Sequence, residues 1–258
     1  MAREIPGRLD AYVVARRQEG AKPATIRLEL RVLGRMFKVA KLPRPELPAI
    51  EVRNVRQGFF EEGDLRRVVA SLPADLRPLV LSGFYTGWRK SECSTLRWAQ
   101  VDLKVGTVRL EPGTTKNGQG RVFPFGAHPK LAQPLWAQRE ETTALERATG
   151  QIVPSVFHRR GRPIKDLDDA WRRACIDAGV PGRLFHDLRR TAVRNLERAH
   201  VSRSAAMKLT GHLTESVYKR YAIVSEADLS EGVAKLAASI FGTDAAQSES
   251  RRETAGSG

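Results

Sequence analysis

Ile26, Leu30, Leu33, Phe37 and Ala40 recur at helical spacing, and the pattern predicts a helix over 23–41 with Pro23 at its start and Thr25 as a cap. An earlier helix is predicted over 6–20. Residues 42–58 hold Pro43, Pro45 and Pro48 without a period and read as a linker. Further helices are expected over 61–71, from Pro78 to the Thr86–Gly87 break, and from Trp88 to Trp98. The period then changes to two. Val101 and Leu103, Val108 and Leu110, and Val122, Phe123 and Phe125 mark three short strands, the last two flanking a KNGQG turn at 116–120. Helical spacing returns over 129–148, 166–178, 186–199, 203–210, 214–221 and 225–240, with Gly211 as the stop of the 203–210 helix. Residues 243–258 are small and polar and read as a disordered tail. No internal repeat is present. The expected fold class is mainly α with a small three-stranded antiparallel sheet.

Composition narrows the partners. The 258 residues are 41% hydrophobic and 28% charged, ordinary for a globular protein with a real core. Forty-four Lys and Arg face 29 Asp and Glu, a formal net charge of +15. Residues 1–50 alone carry eleven Lys or Arg against five Asp or Glu. Such a field favours a polyanion, most simply nucleic acid; a solvated basic surface is the plainer alternative. Two cysteines, Cys93 and Cys175, supply neither a disulfide framework nor a four-Cys zinc site. They fit buried apolar positions in a reducing compartment. No apolar run approaches the ~20 residues of a membrane span, and MAREIPGRLD lacks the apolar core of a secretion signal. The expectation is a cytoplasmic protein with no membrane contact.

Four stretches carry candidate chemistry. In HDLRRT at 186–191, His186 and Arg189 share a helix face and present an imidazole and a planar donor fork to one target, for which a phosphate is suited. A solvated basic face has the same pattern. In YTGWRKSECSTLRW at 85–98, Arg89 falls in the first turn of a helix, with Glu92 at i+3 to hold it; an exposed ion pair of little energetic value is the alternative. Lys116 stands on the predicted hairpin beside Gly118 and Gly120, able to reach a phosphate or simply solvated. His212 follows Gly211 at a helix corner, Tyr221 comes nine residues later, and Tyr218 lies one turn before it. A tyrosine near a helix end is ordinarily half-buried packing. Neither a P-loop nor an H-E-x-x-H or Cys/His cluster is present, so nucleotide and metal sites are not indicated.

Taken in order, T-G-x-R-x-x-E at 86–92, the hairpin Lys116, H-x-x-R at 186–189, Gly211–His212 and Tyr221 resemble the tyrosine recombinase (phage integrase) family. The resemblance spans about residues 8–240 and is strongest over 79–229. It implies that Arg89 and Arg189 clamp a scissile DNA phosphate and that His186 handles the nucleophile's proton. It makes His212 a phosphate hydrogen-bond donor, Lys116 the general acid for the 5′ oxygen, and Glu92 the acid that orients the basic cluster. Tyr221 becomes the nucleophile of a 3′-phosphotyrosyl link. A free phenol, with a pKa near ~10, is a poor nucleophile until cations surround it. Tyr218 is the rival; the nine-residue step from His212 and the following Ala-Ile-Val favour Tyr221. Ile223 stands where relatives often carry a His.

The resemblance also sets expectations for organisation. Residues 1–45 form a partial core-binding domain, since 11–40 resembles only the last two helices of that domain; 46–58 is a linker, 59–242 the catalytic domain and 243–258 a tail. The implied activity is site-specific DNA recombination by an N-terminally truncated member, with DNA binding impaired more than the catalytic centre. The implied partners are double-stranded DNA, three further copies in a homotetramer on DNA, and accessory DNA-bending proteins; no cofactor is implied. The implied location is the nucleoid of a bacterial or phage host. The stripe Ala227, Leu229, Val233, Leu236, Ala237 and Ile240 reads either as core or as a helix passed to a neighbouring protomer. The alternative functions are a catalytically idle DNA-binding remnant and, less favoured, a metal-dependent nuclease, whose acidic residues would have to converge.

Overall fold

The computed structural model of the chain describes residues 5–52, 58–113, 118–221, 230, 232–234 and 236–237. The chain divides into two units, residues 1–56 and 57–258.

In the first unit α1 (Ile5–Gln18) and α2 (Pro23–Val39) enclose a small core of Leu9, Val13, Ile26 and Leu30. Pro23 opens α2, but the N-cap is Lys22 rather than Thr25, because proline already supplies the dihedral of a first helical position. The irregular stretch that follows is not a free tether: Ile50 is buried in this core and Leu47 and Val52 pack on it. The Glu29 carboxylate accepts from Tyr12 Oη at 2.9 Å and from Arg16 Nη2 at 2.8 Å, joining the two helices. Leu28, Val32, Met36 and Val39 remain exposed on α2, as do Arg27, Arg31, Arg35 and Lys38.

The second unit is mainly α, with the expected antiparallel sheet. Helices α3 (Glu62–Ser71), α4 (Arg77–Thr86), α6 (Pro129–Thr149), α7 (Asp168–Asp177) and α8 (Phe185–Arg198) surround one core that includes Leu79, Val80, Phe84, Leu131, Phe157 and Leu188. Strands β1 (Val101–Asp102), β2 (Thr107–Leu110) and β3 (Arg121–Phe123) pair in order, with Val101 opposite Val108 and Leu110 opposite Arg121. Val108, Leu110 and Phe123 face the core while Arg109 points to solvent, as one-sided burial of a sheet requires.

Several expected bounds differ. The helix expected over Trp88–Trp98 is only α5 (Lys90–Ser94), followed by a 3₁₀ turn at Trp98–Gln100, because the Arg97–Ser155 bridge draws the chain into extended form. Phe125 belongs to a 3₁₀ turn rather than to β3. A second sheet, β4 (His158–Arg159) with β5 (Arg162–Pro163), turns through Arg160 and Gly161, both at positive φ; two-residue strands carry no period to read. After α9 (Arg203–Thr210), α10 spans only Glu215–Tyr218 and the chain continues in a turn to Tyr221. Of the helix expected over 225–240, residues 230, 232–234 and 236–237 are helical, with Val233 67% and Leu236 59% exposed. Ala227, Leu229 and Ile240, and the tail at 243–258, lie outside the described residues.

Close approach of α4 to α8 rests on Gly83, where a Cβ would stand 2.5 Å from Phe185 Cζ. We expect Gly83→Val to destabilise the second unit by about 1–3 kcal/mol, the usual penalty of overpacking, read as a lower midpoint in urea unfolding. An unchanged midpoint would show that the two helices separate without loss.

Candidate active site

Helix α4 ends at Gly87, which adopts φ +66° and whose Cβ, if present, would crowd Ala192 Cβ at 2.9 Å. Glycine is required here for both reasons. The turn delivers Trp88 and Arg89. Arg89 is the N-cap of α5 rather than a first-turn residue, since its backbone is extended. Glu92, buried three residues on, takes up two of its donors: Oε2 accepts the Arg89 N–H at 2.8 Å and Oε1 accepts Arg89 Nη1 at 2.8 Å. The same carboxylate pairs with Arg121.

Helix α8 is locked by Asp187, whose Oδ2 accepts the Leu184 N–H at 2.8 Å, and by Thr191 Oγ1, which accepts the Phe60 N–H at 2.8 Å. It presents His186 and Arg189 on one face. Arg189 is only 1% exposed. Its Nη1 donates to the carbonyls of Gly87 at 2.7 Å and of Thr210, and its Nη2 lies 2.9 Å from His212 Nε2. Burial and the neighbouring Arg89 guanidinium lower its pKa.

These contacts assign the His212 tautomer. Arginine can only donate, so Nε2 accepts, and the ring proton is on Nδ1, 2.7 Å from Thr210 Oγ1. The Thr210 hydroxyl in turn donates a hydrogen bond to the Ala206 carbonyl at 2.7 Å. Burial, then Arg189, Arg89 and Arg121, lower the His212 pKa to about 3, so the ring is neutral at ordinary pH. His186 is lowered too, by partial desolvation of its ring and by Arg189 and Arg190, although the residue as a whole stays exposed.

Tyr221 closes the cluster. Its Oη lies 3.0 Å from His186 Nε2, and its ring has the Arg190 and Arg189 guanidiniums at 5.2 and 5.6 Å and the His212 ring at 4.8 Å. Tyr218 is 0% exposed, packed among Val193 and Ala206 with its ring edge-on to His212 at 5.3 Å, and burial raises its pKa. The structure thus brings together Arg89, Glu92, His186, Arg189, His212 and Tyr221. Lys116 lies outside the described residues. Arg121 was not singled out from the sequence, although alternation places it on the buried face with Phe123, an unusual position for a cation. Cys93 and Cys175 are buried, with thiols pushed up to about 12 and about 11 mainly by desolvation. Among the described residues no group of three or more His, Cys, Asp or Glu is placed to hold a metal ion, and no helix is long and apolar enough to cross a membrane.

Residues 64–227 match the family model described as the phage integrase family. The chain belongs to that family. Over 217 residues it is 25% identical to an integrase of Salmonella phage P22, covering 80% of this chain and 51% of that protein. It is 27% identical over 209 residues to a shufflon-specific DNA recombinase of Escherichia coli, covering 76% of this chain and 50% of that protein. The chain therefore spans about half the length of these relatives. The fold is shared with a Tn1549 transposon integrase solved with a circular intermediate DNA, at a TM-score of 0.69 and 14% identity, covering 88% of this chain and 84% of that one.

The depressed His212 pKa has a consequence for stability. A histidine held neutral by the fold contributes stability above its unfolded pKa of ~6.5, and the contribution is lost as pH falls toward the folded value of about 3. We expect acid to lower the thermal midpoint of the wild type more than that of His212→Gln between about pH 7 and pH 4. Parallel curves would refute the assigned neutral ring.

Proposed function

We propose that the protein cuts and rejoins double-stranded DNA at specific sites through a 3′-phosphotyrosyl intermediate. The observation that carries this reading is the phenol of Tyr221 set 3.0 Å from the imidazole of His186 among fixed guanidiniums. For the phenol to give its proton to Nε2, that nitrogen must be free of one, which the lowered His186 pKa favours. Tyr221 Oη then bonds to the scissile phosphorus as the bond to the 5′ oxygen breaks. Lys116 supplies the proton that the departing 5′ oxygen takes up. Arg89 and Arg189 stabilise the charge that develops on the non-bridging oxygens, and His212, once the bound phosphate has led Nε2 to take up a proton, donates to one of them. In the return step a 5′ hydroxyl attacks the phosphotyrosine and Tyr221 leaves. One phosphodiester is exchanged for one phosphotyrosyl ester, so the chemistry calls for no nucleotide cofactor.

Binding follows the charge. The exposed row Arg27, Arg31, Arg35 and Lys38 on α2 and the overall +15 charge favour contacts to phosphates. We read the working assembly as a homotetramer on DNA, with accessory DNA-bending proteins, acting in the nucleoid of a bacterial or phage host.

The test is covalent capture. Incubated with a nicked random-sequence duplex library and denatured, the wild type and Tyr218→Phe should retain DNA covalently, and Tyr221→Phe should not. Adduct on Tyr218, or none with wild type despite DNA binding, would overturn the reading; the latter is the behaviour of an idle DNA-binding remnant. At subsaturating DNA, where the rate reports the free protein, cleavage should fall in acid with an apparent pKa below the ~6.5 of a free histidine, since His186 must be neutral to act. DNA affinity should drop steeply between about 50 and 200 mM salt; a flat response would contradict phosphate contacts.

A further inference from the structure

We propose that Arg121 is a positioning residue of this site, joining the Glu92 carboxylate that holds Arg89 to the Thr210–Gly211–His212 corner, and so setting the two phosphate ligands in register. The proposal rests on the DNA-cleavage reading above, but its geometry does not.

Arg121 begins β3, five residues after Lys116 in sequence. Its side chain is 7% exposed, and its ion-pair partner Glu92 3%. A guanidinium so buried is costly unless each face is occupied. One end pairs with Glu92 Oε2, the oxygen that also accepts the Arg89 N–H. The Nη1 end donates to the Thr210 carbonyl at 3.4 Å, the oxygen that Arg189 also uses. The Trp88 ring lies beneath it at 5.2 Å. Gly211 completes the fit: it adopts φ +72°, and a Cβ there would overlap the Arg121 guanidinium. Arg121 therefore touches Trp88 and Glu92, which flank Arg89, and Thr210 and Gly211, which lead into His212. It also accounts for Glu92, one carboxylate shared by two guanidiniums. Without Arg121, that carboxylate is free to turn wholly onto Arg89 and draw it from its place.

Arg121→Lys keeps the charge but cannot span Glu92 and the Thr210 carbonyl together. On duplexes captured by the wild type, we expect its cleavage rate to fall about 100-fold, the usual effect of a misplacement near 1 Å, with affinity and the salt slope unchanged. A 5′-bridging phosphorothiolate, whose sulfur leaves without a proton, should rescue Lys116→Ala but not Arg121→Lys. Rescue of Arg121→Lys would place its action on Lys116 and overturn the proposal, as would a cleavage rate close to that of wild type. A readout that needs no cleavage separates this from the function itself. In ¹⁵N-histidine spectra assigned with His212→Gln, Arg121→Lys and Arg121→Met should weaken the Nδ1 proton signal of His212 in folded protein. An unchanged His212 signal in both folded variants refutes the positioning role even if wild type proves inactive. A changed signal supports it even if no adduct forms.

Discussion

The last carbonyls of α9 are the point on which the site depends. A helix C-terminus carries unpaired carbonyl oxygens and a partial negative charge, and cations placed there are stabilised. Here three donors from three separate elements converge on them. Trp88 Nε1 donates to the Leu209 carbonyl at 3.0 Å, and the Thr210 carbonyl receives both Arg189 and Arg121. The turn after α4, helix α8 and strand β3 are thereby fastened to one helix end. Gly211 turns the chain away immediately afterwards, which puts His212 against Arg189 and leads on to Tyr221.

The electrostatics of the cluster are lopsided. Arg89 and Arg121 share one carboxylate, while Arg189 is held by carbonyls and an imidazole, which are neutral. Both histidines of the cluster are kept uncharged by desolvation and by these same cations. A buried cation satisfied by dipoles still favours an anion, because full charges interact more strongly than dipoles where water is excluded. On the proposed function, a DNA phosphate supplies that anion and raises the proton affinity of both rings as it binds. The arrangement around His212 then has to change, since Nε2 accepts from Arg189 and donates only after taking up a proton.

The helices were legible because their signals are local. Apolar residues spaced by three and four predicted α2, α4, α6, α8 and α9 within a few residues, and glycine stopped α4 and α9 where a left-handed residue is needed. The period-two stretch predicted β1 to β3, and the order of Arg89, His186, Arg189, His212 and Tyr221 along the chain identified the residues that the fold then assembled. What the chain could not express locally was which donor meets which acceptor. Arg189 reaches the Gly87 carbonyl across 102 positions, and Arg121 reaches Thr210 across 89. Only packing of α4, α8, α9 and β3 decides those pairs. It also gave two tyrosines one turn apart different surroundings, burying Tyr218 in the small core of Val193 and Ala206 and setting the Tyr221 hydroxyl beside His186. Residue type is the same for both, and the nine-residue step from His212 favoured Tyr221 without fixing its surroundings; the contacts of a side chain depend on neighbours brought from elsewhere in the chain.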